Sequence, residues 1–224
     1  MLSMPACNHT EPVDRRYVMI FIDMSLSTLP DRENYRKHIE TIVNRLKAGD
    51  RLTVCQITDQ TIAEFAPIFD TTLPSFNFWT DNRTRYDKAV RDLSAQIMTT
   101  VDSVLQARPK VKKSEIINSF LICEQFMRNK QGKKSIAIFS DMQESSVDME
   151  FSRDTVTAQY IHQAIVNLKS KDRIPKLKDV EVWIAGAYAK STEQYFAVEQ
   201  FWSRYIQETG AVLKSYSHTL IDFE

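Results

Sequence analysis

Two unbroken apolar runs, each ending near an aspartate, constrain most strongly what this chain can fold into. The first run covers residues 17–22 and stops at Asp23, and the second covers residues 136–139 and stops at Ser140-Asp141. Apolar runs without polar alternation are typical of parallel strands that are covered on both faces. The two runs therefore predict two central strands, each with a carboxylate at its carboxyl end.

Helical and extended patterns alternate through the rest of the chain. Helices are predicted at 33–47, 81–106, 114–128, 155–171 and 191–209, and further strands at 51–58, 62–68, 180–185 and 211–218. The short separation of 51–58 from 62–68 predicts a hairpin in which 62–68 is a sheet edge. This alternation favours an α/β sheet with helices on both faces.

Charge and residue content exclude several classes of function. The chain of 224 residues has 29 basic and 29 acidic residues, so no basic excess indicates nucleic acid or an anionic membrane as partner. Its 4 glycines form no phosphate-binding loop, which disfavours dinucleotide and P-loop chemistry. The 3 cysteines and 4 histidines are scattered, which disfavours a disulfide framework and a zinc site.

The amino-terminal segment predicts the domain organisation and bears on localisation. Residues 1–15 are polar and aperiodic, so we expect a flexible N-terminal tail before a single domain over 16–224. Residues 2–7 loosely resemble the stretch before a bacterial lipoprotein cysteine but lack the apolar length of a signal peptide. We therefore expect a soluble, cytoplasmic protein without a membrane span; an upstream signal sequence would instead make it exported or lipid-anchored.

Polar side chains follow the two central strands where a ligand site is expected. Ser25 and Ser27 come at alternate positions after Asp23, and Asp141 ends the second run. Open α/β sheets bind ligands at the carboxyl ends of their strands. Two neighbouring acids repel each other unless a cation lies between them or one takes a proton. Carboxylate and hydroxyl oxygens suit Mg²⁺, with Mn²⁺ as a substitute, so the pattern predicts a site for a hard cation.

The ordered set of motifs resembles the metal-ion-dependent adhesion site (MIDAS) of von Willebrand factor type A (VWA) domains, the fold of integrin inserted domains. Asp23, Ser25 and Ser27 match its DxSxS segment, and Asp141 matches its later aspartate in a hydrophobic-then-[ST]-Asp context. Ser114 stands where the family has a threonine before a helix. The resemblance implies that these five residues hold the metal.

The resemblance also implies a fold and a function. The fold is a Rossmann-like, doubly wound and mostly parallel six-stranded sheet with one antiparallel edge strand and helices on both faces. The function is metal-dependent protein recognition without enzymatic activity, in which a Glu or Asp carboxylate of a protein partner completes the coordination of Mg²⁺. This chain departs from the family at Leu26 and Met142, where the family often has glycine.

A basic cluster precedes the middle segment of the motif set. Its residues are Arg108, Lys110, Lys112 and Lys113. Exposed loop charges are commonly only solvated, but a basic cluster beside the site also attracts an acidic partner segment.

Three alternative interpretations remain open at this stage. The apolar strand ending at Asp23 also resembles the nucleophile segment of haloacid-dehalogenase-like phosphotransferases, although Ser25 stands in place of their general acid. A second alternative is a VWA scaffold whose metal site stays unoccupied and whose partner binds another face. Ser114 is also suited to be only the N-cap of the following helix.

Overall fold

The computed structural model describes residues 15–77, 79–108, 113–151, 155–220 and 222–223. In chain order the elements are β1 (Arg16–Asp23), α1 (Arg32–Arg45), β2 (Arg51–Ile57), β3 (Phe69–Thr72), α2 (Arg83–Gln106), α3 (Ile116–Met127), β4 (Lys133–Phe139), α4 (Ala158–Ser170), β5 (Val180–Ala185), α5 (Thr192–Thr209) and β6 (Val212–Ser217). The predicted tail lies outside the described residues except for Arg15.

The strands form one six-stranded sheet in the order β3-β2-β1-β4-β5-β6. All neighbouring strands are parallel except β2 and β3, which are antiparallel. This arrangement confirms the predicted α/β class with one antiparallel edge strand. In the described part of the chain, no helix combines the length and apolarity that a membrane span requires.

The edge strand lies further along the chain than the apolar pattern predicts. It is β3 (Phe69–Thr72), and the prediction of 62–68 is wrong. Residues 59–64 form turns instead, because the Thr58 N–H donates to the Thr61 hydroxyl (3.0 Å) and the Phe65 N–H donates to the Ile62 carbonyl (3.2 Å). Side-chain hydrogen bonds of threonine favour such turns over an extended strand.

The core lies in two layers, one on each face of the sheet. Val18, Ile20 and Ile22 of β1 belong to the layer that α1 and α2 cover, whereas Met19 and Phe21 belong to the layer that α3, α4 and α5 cover. Successive side chains of a strand point to opposite faces, so β1 is apolar throughout because both of its faces are buried.

The sheet order brings the ends of the two central strands together. The chain runs from β1 outward to β2 and β3 and then returns to β4 on the other side of β1. Residue Ile22 of β1 is paired with Phe139 of β4, so Asp23, which ends β1, and Asp141, which follows β4, lie at the same carboxyl edge. This point, where the direction of the crossovers reverses, is where open α/β sheets bind ligands.

Gly186 and Gly49 differ in the space around them, and this difference allows the packing of α1 against the sheet edge to be measured. Gly186 follows β5 with a φ of +96°, and a Cβ there would collide with the hydroxyl of the buried Tyr35 on α1. Gly49 has a similar φ of +83° but no atom within 4 Å of the Cβ position. We expect Gly186→Ala to lower the free energy of unfolding by about 3 kcal/mol, and Gly49→Ala by about 1 kcal/mol, in urea denaturation. Equal losses in the two variants would contradict the close packing of Tyr35.

Candidate metal centre

The carboxylate of Asp23 is the buried centre of the site. Asp23 ends β1 and is fully buried. Its Oδ1 accepts hydrogen bonds from the Ser25 N–H (2.9 Å) and the Ser114 hydroxyl (2.9 Å), and its Oδ2 accepts from the Ser140 hydroxyl (2.6 Å). Three serines from three separate segments therefore converge on one carboxylate.

The β1–α1 loop forms a tight turn that presents two more hydroxyls. The Oγ atoms of Ser25 and Ser27 lie 3.0 Å apart. The buried Thr28 closes the turn, because its hydroxyl donates to the carbonyls of Asp23 (2.9 Å) and Ser25 (3.0 Å). Ser27 is exposed, and its hydroxyl lies near enough to Asp141 to oppose the rise in the pKa of that carboxyl, so the turn lies between the two acids.

Ser114 does not cap the helix that follows it. The first residue of α3 is Ile116, its N-cap residue is Glu115, and the cap makes no side-chain hydrogen bond. The Ser114 hydroxyl donates to Asp23 instead, so the N-cap interpretation of Ser114 is wrong.

The Glu144 carboxylate accepts hydrogen bonds from backbone N–H groups in the first turn of α3, as a capping residue usually does. Its Oε2 accepts from the N–H groups of Ile116 (2.7 Å) and Ile117 (3.0 Å), which a helix otherwise leaves unbonded at its N-terminus. The next residue, Ser145, donates its N–H to the Ser114 carbonyl (3.0 Å). The β4–α4 loop therefore holds Ser114 against Asp23.

Burial raises the pKa of both aspartates at this edge. The pKa of Asp23 is raised by loss of solvent, although the hydroxyls of Ser140, Ser25 and Ser114 and the backbone N–H of Ser25 oppose the shift. The pKa of Asp141 is raised to about 6, first by burial and then by the charge of Asp23. Each acid is thus costly to ionise without a nearby positive charge.

Among the described residues neither aspartate takes part in an ion pair. The buried Arg32 lies close enough for its charge to interact with Asp23. Its guanidinium nevertheless donates to three backbone carbonyls, those of Leu105 (2.8 Å), Ala107 (2.6 Å) and Met24 (3.4 Å). Arg32 therefore ties the end of α2 to the β1–α1 loop and forms no salt bridge with either acid.

The oxygen atoms at this edge have the chemistry that a hard cation requires. Within the described ranges no group of three or more His, Cys, Asp or Glu side chains is placed to hold a metal, so hydroxyls have to complete the donor set. Ser25, Ser27 and Ser114 supply hydroxyls beside the carboxylates of Asp23 and Asp141. This donor set fits Mg²⁺ or Mn²⁺ and does not fit Zn²⁺.

Met142 holds an unusual backbone conformation next to Asp141. Its φ is +63°, a left-handed value that favours glycine, and its side chain is fully buried. Two hydrogen bonds hold it in place: its N–H donates to the Ser140 hydroxyl (3.0 Å), and its carbonyl accepts from the indole Nε1 of Trp202 on α5 (2.9 Å). This chain therefore places a methionine in a conformation that usually favours glycine.

Sequence reasoning missed three residues of this site: Ser140, Glu144 and Trp202. Ser140 stands directly before Asp141, so its position in the motif was an available signal. No local pattern marks Glu144 or Trp202, since their partners are distant in sequence. Of the basic cluster, Arg108 and Lys113 are exposed, while Lys110 and Lys112 lie outside the described residues.

Comparison with known proteins supports the fold. A human COPII-coat protein has a TM-score of 0.51 at 11% identity over 93% of this chain and 30% of that chain. The minor pilin PilB of Streptococcus sanguinis has a TM-score of 0.50 at 11% identity over 91% of this chain and 57% of the pilin chain. A von Willebrand factor type A structure from Catenulispora acidiphila has a TM-score of 0.46 at 9% identity over 91% of this chain and 39% of that chain.

The first two similarities, at 11% identity, show the α/β fold alone. The chain spans less than a third of the COPII-coat chain and just over half of the pilin chain. No protein-family model and no curated protein sequence matches the chain.

Glu144 makes the stability of the fold depend on pH. Burial raises its pKa to about 8, so the folded protein favours the neutral acid. The stabilising effect of that proton is complete below the usual glutamate pKa and is lost as the pH rises towards 8. We expect Glu144→Gln, which keeps an oxygen acceptor for α3, to remove this loss. Between pH 5 and pH 9, the free energy of unfolding of wild type should therefore fall by about 3 kcal/mol more than that of the variant.

Urea denaturation at the two pH values, with EDTA present, measures this difference. Glu64→Gln, at an exposed glutamate, is the matched control and should follow the wild type. Identical pH dependence in wild type and Glu144→Gln would show that Glu144 is not buried as a neutral acid.

Proposed function

We propose that this chain is a divalent-cation-dependent protein-binding module. Asp23, Ser25, Ser27, Ser114 and Asp141 hold Mg²⁺, or Mn²⁺ in its place, at the carboxyl edge of the sheet. A protein partner supplies a Glu or Asp carboxylate to the cation. The order of these residues along the chain and their resemblance to the VWA adhesion site support this function.

The observation that carries the proposal is a pair of buried carboxylates without a basic partner. Asp23 is 0% exposed and Asp141 is 5% exposed. Buried charges in proteins are normally paired with an opposite charge or bound to a metal. The hydrogen bonds of the aspartates at this edge come from hydroxyls and backbone N–H groups. Either one acid keeps a proton, which the raised pKa values favour, or a cation balances their charge, as we propose.

Two other acids of the chain whose carboxylates are little exposed have basic partners. Asp50, which is 1% exposed, is paired with Arg16 at 3.0 Å. Asp148 is paired with both Lys171 (2.9 Å) and Arg173 (3.1 Å). Glu144, the remaining buried acid of the described residues, also has no basic partner, and burial raises its pKa to about 8, which favours its neutral form. Asp23 and Asp141 differ from it because they lie together at one edge of the sheet.

The residues around the cation site have separable tasks. Ser140 and the Ser25 N–H orient the Asp23 carboxylate, and the Gln143 N–H orients Asp141 through a hydrogen bond of 3.0 Å to Oδ1. Ser27, the exposed member of the set, lies on the side that a partner approaches. A bound cation supplies positive charge and a coordination position that an anionic oxygen can take.

We propose recognition of a partner without catalysis. A phosphotransferase that uses Asp23 as nucleophile needs a general acid near position 25, and a serine hydroxyl does not transfer a proton readily near neutral pH. The Ser25 hydroxyl is buried and hydrogen-bonded to Ser27, which suits a metal ligand or a structural group.

Metal titration of matched variants tests the site assignment. We expect Mg²⁺ to bind wild type in isothermal calorimetry and to raise its melting temperature, because a ligand that binds only the folded state stabilises it. Asp23→Ala and Asp141→Asn should each remove the heat of binding and the thermal shift. Asp59→Asn, at an exposed acid of the β2–β3 loop, should keep both. Equal Mg²⁺ binding by wild type and Asp23→Ala would contradict the assignment.

Capture of a partner tests the function itself. A pull-down in MgCl₂ should retain one protein that is released by EDTA and is absent with Asp141→Asn. A partner that stays bound in EDTA would favour the scaffold alternative, in which another face binds.

A further inference from the structure

A concave surface lined by cations lies at the amino edge of the sheet, at the opposite end from the candidate metal centre. Two cavities, of about 330 Å³ and about 290 Å³, adjoin at Met127 and Arg128 at the end of α3, and we call them together the basic groove. The one acid in its lining is Glu124. The basic residues in its lining are Arg51, Arg128, Lys130, Lys134, Lys176 and Lys178.

Strand pairing shows that the two cavities belong to one surface. Tyr17 of β1, which lines the larger cavity, is in register with Arg51 of β2 on one side and with Lys134 of β4 on the other. Neighbouring strands lie about 4.8 Å apart and paired residues share a face, so the two cations flank Tyr17. The Nζ atom of Lys130 lies 6.0 Å from the centre of the same ring. The groove is therefore continuous from β2 to β4.

Most cations of the groove have no carboxylate partner in the described part of the chain. Arg51 donates to Asp70 (2.9 Å), and Arg128 lies 3.7 Å from Glu124. The four lysines form no ion pair among the described residues. Of these, Lys176 and Lys178 are exposed, and Lys130 and Lys134 are half-buried.

The end of α3 accounts for only part of this cluster. The last carbonyls of a helix favour nearby cations, and Arg128 and Lys130 directly follow α3. Lys134 belongs to β4, however, and Lys176 and Lys178 belong to the α4–β5 connection, so the fold brings these charges together. The same connection carries two exposed acids that do not line the groove, Asp172 and Asp179. Positive charge therefore predominates along the groove itself.

We infer that the basic groove binds an acidic polypeptide segment, at a surface separate from the candidate metal centre. Unpaired cations that converge on a concave surface attract an anionic partner and favour complementary carboxylates over other groups. The inference does not depend on the proposed function, because no residue of the groove belongs to the metal centre. The chain's zero net charge thus conceals a local excess of positive charge.

The chemistry of the free cations favours a polypeptide over a nucleic acid or a membrane. Guanidinium groups recognise phosphate through two hydrogen bonds at once, but both arginines of the groove already lie beside carboxylates. The lysines offer single point charges, which suit separate Glu or Asp side chains of an extended segment. A concave groove also fits a chain better than the flat surface of a membrane.

Fluorescence anisotropy with labelled anions tests the class of partner. The probe is a fluorescein-labelled peptide of alternating Glu and Gly, titrated with the full chain in EDTA so that the metal centre makes no contribution. We expect binding that weakens as ionic strength rises, because salt screens exposed charges. The same peptide with Gln in place of Glu should not bind, and an oligothymidylate of equal charge should bind more weakly than the Glu peptide. No binding of the Glu peptide, or tighter binding of the oligothymidylate, would overturn the inference.

Paired charge variants test the location. Lys176→Gln combined with Lys178→Gln should weaken binding of the Glu peptide about tenfold, because two exposed charge contacts are lost. Lys113→Gln combined with Lys190→Gln removes the same charge from exposed lysines near the carboxyl edge and should leave the affinity unchanged. Equal losses in the two double variants would show that overall charge, and not the groove, attracts the peptide, and would overturn the inference.

Discussion

Burial of the Asp23 carboxylate is the constraint on which this edge of the sheet depends. Asp23 ends a strand that is covered on both faces, so protein groups must satisfy its oxygens. The Ser114 and Ser140 hydroxyls and the Ser25 N–H do so. These donors belong to the β1–α1 loop, the segment before α3 and the end of β4. A single buried carboxylate therefore fixes three segments relative to one another.

The parts of the fold that could be predicted are those whose cause is local. The runs before Asp23 and Ser140 are apolar at every position because both faces of β1 and β4 are covered, and this property is visible in the sequence. Apolar spacing alone misplaced the edge strand at 62–68, since the hydrogen bonds of Thr58 and Thr61 turn the chain there. The side-chain hydrogen bonds of threonine determine the conformation of this segment, because its apolar pattern is compatible with a strand or with a turn.

The remaining parts of the site depend on contacts between distant segments. Glu144 lies in a polar loop, and its bonds to Ile116 and Ile117 form only when the β4–α4 loop folds over α3. Met142 keeps a left-handed backbone although it has a Cβ, which costs about 1 kcal/mol. The hydrogen bond from Trp202 and the burial of the Met142 side chain offset that cost. Neither arrangement has a signature in the neighbouring residues.

The chain stabilises its buried acids in different ways, and the difference bears on the proposed function. Asp50 forms an ion pair with the guanidinium of Arg16. Glu144 favours its neutral form, because burial raises its pKa to about 8. The pKa of Asp141 is raised to about 6 by burial and by the charge of Asp23, so ionising both acids together is costly without a nearby positive charge. A fixed arginine there would neutralise the pair but would also fill the space that a partner's carboxylate needs. The exchangeable cation that we propose would balance the same charge and keep one coordination position open for a partner's oxygen.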